Sequence, residues 1–295
     1  GGEIVLPRSA HPAFDKAAHY LGLVTRRVPV SERFEADVDA LEAACTPRTL
    51  MLVGSAPCFP YGVVDPIAEL GALAERRGLW LHVDACVGGY FAPFARMNGV
   101  ELPAFDFSVP GVASISADLH KYGYTAKGAS TLFHRSEEQR AHQLFTVDAR
   151  PAGRMAPPTA AGTRPGGAIA SAWAVMHYLG VEGYRAKART VVATREKVEA
   201  AVDATGALRV VGEPRLGLLA FAARDPDALG IFAVWARLKA RGWFTGVITE
   251  PQGIHLMLSP AHARVADAYL ADLARALDEV RATAETGAGV QARYS

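Results

Sequence analysis

The chain has 295 residues, half of them hydrophobic, enough to bury a sizeable core and to divide into a large and a smaller unit. Its 31 Lys and Arg balance 30 Asp and Glu, and no block of like charge stands out, which argues against a nucleic-acid partner. The three cysteines, Cys45, Cys58 and Cys86, form neither a disulfide framework nor a C-x-x-C pair, no apolar run reaches the ~18 residues of a membrane span, and no signal-peptide pattern opens the chain, so a cytoplasmic protein is expected.

In chain order, residues 4–7 read as a strand, 14–21 and 38–44 as helices, and 49–55 as a second strand. Residues 66–77 read as a helix with Asp65 as N-cap, Pro66 in the first turn and Gly78 after its end. Strands follow at 79–84, 114–117 and, after a Gly-containing turn, 131–134, then a helix at 137–145. Residues 148–167 are rich in Pro, Gly and Ala and read as a loop or linker. The second half reads as a helix over 168–204 broken at Gly180, strands at 208–211 and 218–221, a helix at 227–241, strands at 245–249 and 254–258, and a last helix at 261–284. Strands alternating with helices predict an α/β protein with a mostly parallel sheet covered on both faces, a large domain over 1–190 and a smaller α/β domain over 191–295. The opening Gly1-Gly2-Glu3-Ile4-Val5-Leu6 already reads as a core strand, so a segment upstream is expected to be missing.

The segment Ser114-Ile-Ser-Ala-Asp-Leu-His-Lys121-Tyr-Gly carries the most chemistry, because a strand delivers His120 and Lys121 into a Gly-containing turn, and ends of parallel strands are where α/β proteins build sites. A lysine there can condense with an aldehyde cofactor once its ammonium loses a proton, which burial and neighbouring cations favour; a surface lysine beside a turn is the plainer alternative. In Leu79-Trp-Leu-His-Val-Asp84-Ala-Cys-Val-Gly-Gly89, Asp84 ends a buried apolar strand and needs a partner. A protonated pyridine nitrogen would serve, as would a helix N-cap or a buried ion pair. His11 sits between a strand and a helix and either lies flat on a planar ring or is a structural loop histidine. Gly162-Thr163-Arg164-Pro-Gly-Gly167 offers backbone amides, a hydroxyl and a guanidinium to a phosphate ahead of a helix, although glycine-rich turns are common.

Other chemistries lack their patterns: there is no H-E-x-x-H, G-x-S-x-G, Walker-type or G-x-G-x-x-G segment. His82 shares a sheet face with Asp84 but no third metal ligand follows, and a carboxylate beside Cys86 makes it a poor thiolate nucleophile.

Together S-A-H-P-A-F-D-K-A-A at 9–18, F-P-Y-G-V-V-D-P at 59–66, H-V-D-A-C-V-G-G at 82–89, S-I-S-A-D-L-H-K-Y-G-Y-T-A-K-G at 114–128 and G-T-R-P-G-G at 162–167 carry a resemblance. The chain resembles the sphingosine-1-phosphate lyases, within the fold-type-I pyridoxal-phosphate enzymes related to group II amino-acid decarboxylases. The resemblance runs to about residue 190, which makes 1–190 the cofactor-binding part. It implies that Lys121 holds pyridoxal 5'-phosphate covalently, that Asp84 pairs with the pyridine nitrogen and that His11 stacks on the ring. It further implies that His120 lies against the cofactor or its phosphate, that Lys127 positions phosphate or substrate, and that the loop with Gly162 and Thr163 approaches the cofactor of a second subunit in a homodimer with shared sites. The reaction implied is cleavage of the C2–C3 bond of a phosphorylated sphingoid base to a long-chain aldehyde and phosphoethanolamine.

Two departures stand out. A glycine-rich segment that cups the cofactor phosphate is expected upstream of residue 1, and the loop 148–154 lacks the aromatic residues of the family. Arg150 and Arg154 would instead supply cations to a phosphorylated head group. The neighbouring readings are a pyridoxal-phosphate amino-acid decarboxylase, using the same Lys121, Asp84 and His11 on a different bond, and an inactive scaffold of the same fold. The S-A-D-x-H-K-Y-G-Y pattern favours the lyase, and retention of all three residues argues against the scaffold.

Overall fold

In the opening strand, Ile4 and Leu6 point to one face and Val5 to the other, and all three are buried, so the strand requires a helical layer on each side. A computed structural model, in which residues 1–283 are described, provides those layers. Six strands form the main sheet: β1 (Glu3–Pro7), β2 (Val24–Val28), β3 (Thr49–Ser55), β4 (Trp80–Asp84), β5 (Val112–Ala117) and β6 (Thr131–His134), in the order β2-β1-β3-β4-β5-β6. All pair in parallel except β6, which runs antiparallel to β5 at the edge.

Helix α1 (Ala13–Leu21) covers Ile4, Leu6 and Val53 on one face, whereas α2 (Val38–Ala44), α3 (Ile67–Arg77) and α4 (Ala92–Met97) contribute to the cluster of Val5, Leu52, Leu81 and Val83 on the other. A short α5 (Glu137–Ala141) follows β6, then the long α6 (Gly166–Ala204), whose two helical pieces meet at Gly180 with φ 56° and ψ −177°. The C-terminal part adds β7 (Leu208–Val210), β8 (Leu218–Ala223), α7 (Ile231–Ala240), β9 (Gly246–Thr249), β10 (Gln252–Met257) and α8 (Ala266–Thr283). Its four strands form a wholly antiparallel sheet in the order β7-β8-β10-β9. The hydrophobic cluster that fills the main sheet continues into Leu219, Phe221 and Ile254 of this second sheet.

Several boundaries differ from the sequence reading for identifiable reasons. Strand β2 was not anticipated, because Val-Thr-Arg-Arg-Val hides an edge strand behind two arginines. Arg26 pairs with the buried Glu3 at 2.7 Å, and Arg27 turns back onto the loop after β1. Helix α4, six residues long with Pro93 in its first turn, has no counterpart in the sequence reading. Helix α5 stops at Ala141 rather than at 145, α7 begins at Ile231 because Asp225 caps a turn by accepting from Asp227 N and Ala228 N, and the segment 260–264 is a 3₁₀ turn ahead of α8. Residue 284 lies outside the described residues.

Asp65 does not cap α3 with its side chain, contrary to the sequence reading. Its fully buried carboxylate faces the other way and accepts from Ala36 N at 2.8 Å and Ser55 N at 2.7 Å, stapling a distant loop to the end of β3. Burial pushes this carboxyl up to about 7, against the opposing pull of the two amides. A folded-state value above the unfolded one means the native chain binds the proton more tightly, so this group makes stability fall as pH rises from about 4 to about 7. Replacing Asp65 by Ala orphans two buried N–H donors and is expected to cost roughly 2–5 kcal/mol in urea unfolding and to flatten that pH slope; an unchanged midpoint would contradict the staple.

Candidate active site

The parallel register puts Ser55 opposite Asp84 and Asp84 opposite Ser116 at the carboxyl ends of β3, β4 and β5. The loop after β1 brings His11 to the same edge, and the turn after β5 brings Lys121. Asp84, His11, Lys121 and Ser55 therefore line one cavity of about 590 Å³, together with Ser130 and Arg164. This is the crevice outside the strand ends where open α/β sheets bind ligands.

Each side chain is held by a local device. Arg27 donates from Nη1 to the carbonyl oxygens of Pro7, Arg8 and Ala10 at 3.0–3.1 Å, which clamps the segment leading into His11. The imidazole Nδ1 of His11 accepts from Ala13 N at 3.1 Å, and burial pulls its pKa down, so the ring it offers at neutral pH is uncharged. The Lys121 turn is riveted from outside: Tyr122 Oη donates to Leu258 O at 2.6 Å and Tyr184 Oη to Gly123 O at 2.9 Å. A Cβ on Gly123 would stand 2.4 Å from Leu119 O, so the tight return of the chain requires glycine there.

Lys121 Nζ lies 3.0 Å from Asp118 Oδ2, and Asp118 also accepts from Ser130 Oγ. Desolvation lowers the lysine pKa but is outweighed by Asp118, Cys86 and Asp84, leaving it raised. The surroundings are thus anionic: of the two influences the sequence reading expects to favour loss of the proton, burial is present and neighbouring cations are replaced by carboxylates. Asp118 is the important residue that reading passed over; its spacing, three residues before Lys121 across a turn, was the available signal. On Asp84, Oδ1 accepts from Cys86 N at 3.0 Å and from Ser116 Oγ at 3.4 Å, while Oδ2 takes no hydrogen bond from the described residues.

The remaining expected residues do not line this cavity within one chain. His120 turns aside, donating from Nδ1 to Ala129 O at 2.7 Å with Nε2 3.6 Å from Asp118. Lys127 is exposed. Arg150 lies against Met155, and Arg154 pairs with Asp148 on the surface. Gly162 and Thr163 sit on the outer loop, but their neighbour Arg164 does reach the cavity and donates to Gly128 O at 3.2 Å. A second cavity of about 300 Å³ lies against the C-terminal sheet between Trp243, Leu256 and Tyr269 and holds no lysine or carboxylate. Phe59, whose ring centroid is 4.5 Å from that of His255, bounds both cavities.

These residues fit a pyridoxal group: an amine for its aldehyde, a carboxylate oxygen without a donor for its ring nitrogen, a neutral aromatic ring for its face, and Ser55, Ser130 and Arg164 as polar partners at the rim. Because the amine must be neutral to condense, attachment of pyridoxal phosphate at Lys121 should accelerate as pH rises from about 6 to 9. Asp118→Asn should move that profile to lower pH, as borohydride-trapped label on Lys121 would record; an unmoved profile would remove Asp118 from this role.

The family model for the pyridoxal-dependent decarboxylase conserved domain matches residues 4–224. A sphingosine-1-phosphate lyase of Arabidopsis thaliana is 43% identical over 280 residues, which is 95% of this chain and 51% of that protein. The solved structure of a Burkholderia pseudomallei sphingosine-1-phosphate lyase superposes with a TM-score of 0.91 at 39% identity, covering 96% of this chain and 64% of the other. A probable L-tyrosine/L-aspartate decarboxylase of Methanocella arvoryzae is 34% identical, covering 93% of this chain and 70% of that protein. The chain spans about half the length of the plant lyase. The expected fold-type-I α/β architecture with a mostly parallel main sheet is borne out. With three-quarters of its residues inside the matched domain and the strand-end cavity arranged as described, the chain belongs to the pyridoxal-dependent decarboxylase family.

Proposed function

We propose that the protein is a pyridoxal-phosphate-dependent carbon–carbon lyase that cleaves the C2–C3 bond of a phosphorylated sphingoid base to a long-chain aldehyde and phosphoethanolamine. The carrying observation is the convergence of Lys121, Asp84 and His11 on one cavity in a chain so similar to two lyases of that name. When bound, the cofactor supplies an electron sink for the pair of electrons left on carbon by bond cleavage.

The chain's own residues do the rest. Lys121 would hold the cofactor through its amine, and its Nζ, 3.0 Å from Asp118 Oδ2, is placed to hold and return a proton. Asp84 would hold the ring nitrogen protonated, and the neutral His11 would offer its own ring to the cofactor. Arg164, at the cavity rim, pairs with substrate or cofactor phosphate. Arg150, Arg154 and Lys127 stand outside the single-chain cavity, so in this reading they and the loop with Gly162 and Thr163 act on the site of a second subunit. An exposed apolar stripe of Ile169, Trp173 and Met176 at helical spacing on α6 supports such a homodimer.

Residues 1–190 then carry the cofactor and 191–295 the smaller domain. Three unpaired cysteines support a cytoplasmic location, and no helix among the described residues is long and apolar enough to cross a membrane. The similarity to the archaeal decarboxylase favours one alternative, loss of carbon dioxide from an amino acid on the same three residues.

Long-chain aldehyde should be released from a phosphorylated sphingoid base by the full-length protein with pyridoxal phosphate, and Lys121→Ala should lower that rate by roughly a thousandfold or more. Carbon dioxide from an amino acid, with no aldehyde, would move the protein to the decarboxylases. A colourless protein that takes up no cofactor would leave the inactive scaffold.

A further inference from the structure

Five side chains from β4 and β5 form a hydrogen-bonded line that ends on Asp84. Trp80 Nε1 lies 2.8 Å from Ser114 Oγ, Ser114 Oγ 2.7 Å from His82 Nδ1, His82 Nε2 3.2 Å from Ser116 Oγ, and Ser116 Oγ 3.4 Å from Asp84 Oδ1. Elementary donor chemistry sets the direction of every link. Trp80 Nε1–H can only donate, so the Ser114 oxygen accepts from it. The Ser114 hydroxyl proton, buried and with His82 as its remaining partner, must go to Nδ1. Burial holds His82 neutral by drawing its pKa down, so an imidazole that accepts at Nδ1 carries its single proton at Nε2 and gives it to Ser116. Ser116 also receives the thiol of Cys86 at 3.2 Å, and its own proton is left for the carboxylate.

The geometry that produces this line is itself specific. A register irregularity between β4 and β5 sets His82 opposite Ser114 and Asp84 opposite Ser116, so that four polar residues share one face of two adjacent strands. The terminal torsion of an aspartate is broad and soft, and a carboxylate with free rotation would offer either oxygen to a ligand. Here two donors, Cys86 N and Ser116 Oγ, both fall on Oδ1. The line reaches the carboxylate as a hydroxyl dipole and not as a cation, so it orients the charge without cancelling it. A protonated His82 would compete with any cationic partner; a neutral one does not.

We propose that Ser116, held by His82 and Ser114, is a positioning residue that locks the Asp84 carboxylate so that Oδ2 faces the ring nitrogen of the bound cofactor. The proposal rests on the reading of Asp84 as the ring-nitrogen partner, and it extends the support of the site to Ser114 and Trp80, which do not line the cavity.

The experiment loads the full-length protein with pyridoxal phosphate labelled with nitrogen-15 in the ring, whose resonance reports the proton on that nitrogen. Ser116→Ala and His82→Gln should each shift the resonance toward the unprotonated position and raise the Kd for pyridoxal phosphate about tenfold, the usual weight of one hydrogen bond to a charged group. Ser116→Thr, which restores the hydroxyl, should return both values toward those of the parent. Asp84→Asn should abolish the protonated signal altogether. Wild-type resonance and affinity in Ser116→Ala, with Asp84→Asn shifted, would overturn the relay alone; an unshifted Asp84→Asn would overturn the assignment of Asp84 beneath it. Should Ser116→Ala fail to fold, Ser116→Cys, of similar volume and a far weaker donor, gives the same decision.

Discussion

The parallel pairing of β3, β4 and β5, with its register shift between β4 and β5, is the constraint on which the rest depends. Three strands contributed by residues far apart in sequence end at the same level, so Ser55, Asp84 and Ser116 come to lie side by side without any direct chain connection between them. A slip of one residue in either pairing would turn Asp84 or Ser116 into the opposite helical layer, where a carboxylate has no partner. Buried apolar neighbours such as Leu81, Val83 and Ile115 oppose that slip, because each would be displaced from its own layer. The hydrophobic pattern of the sheet and the placement of its few polar residues are therefore one and the same specification.

Around that frame the site is braced from both ends of the chain. The C-terminal part reaches the Lys121 turn through Tyr122 and the carbonyl of Leu258, and α6 reaches it through Tyr184. Thr125 Oγ1 adds a link to Ser171 on the first piece of α6 at 2.9 Å. The N-terminal part braces His11 through Arg27, a residue of the outermost strand that satisfies three carbonyl oxygens of an otherwise irregular loop.

What was legible in the sequence follows from the range of the interactions involved. Asp84 and Lys121 could be found because one ends and the other follows a strand whose apolar run is local, and Gly180 because a glycine interrupts an otherwise continuous helical period. Strand β2 was not legible, since the charges that disguise it are explained only by Glu3 and the loop after β1, both across the fold. Asp65 reads locally as a helix cap, yet it serves two amides that only the tertiary structure brings near. The line from Trp80 to Asp84 depends on a register shift between two strands, which no local pattern encodes. Residues expected to meet a phosphate or head group, such as Arg150 and Thr163, likewise have no local feature that fixes where they act.

Phe59 gives the architecture an economy of space. One aromatic ring is the partition between a polar room that holds Lys121 and Asp84 and an apolar room against the second sheet, and it leans on His255 as it does so. Volume on the two sides is therefore linked: a bulkier side chain at this position narrows one room or the other, and a smaller one widens them. The dimensions of the polar chamber are set in part by a residue that contributes no charge, no proton and no hydrogen-bonding side chain to it, which makes position 59 a natural dial for the size of ligand the chamber admits.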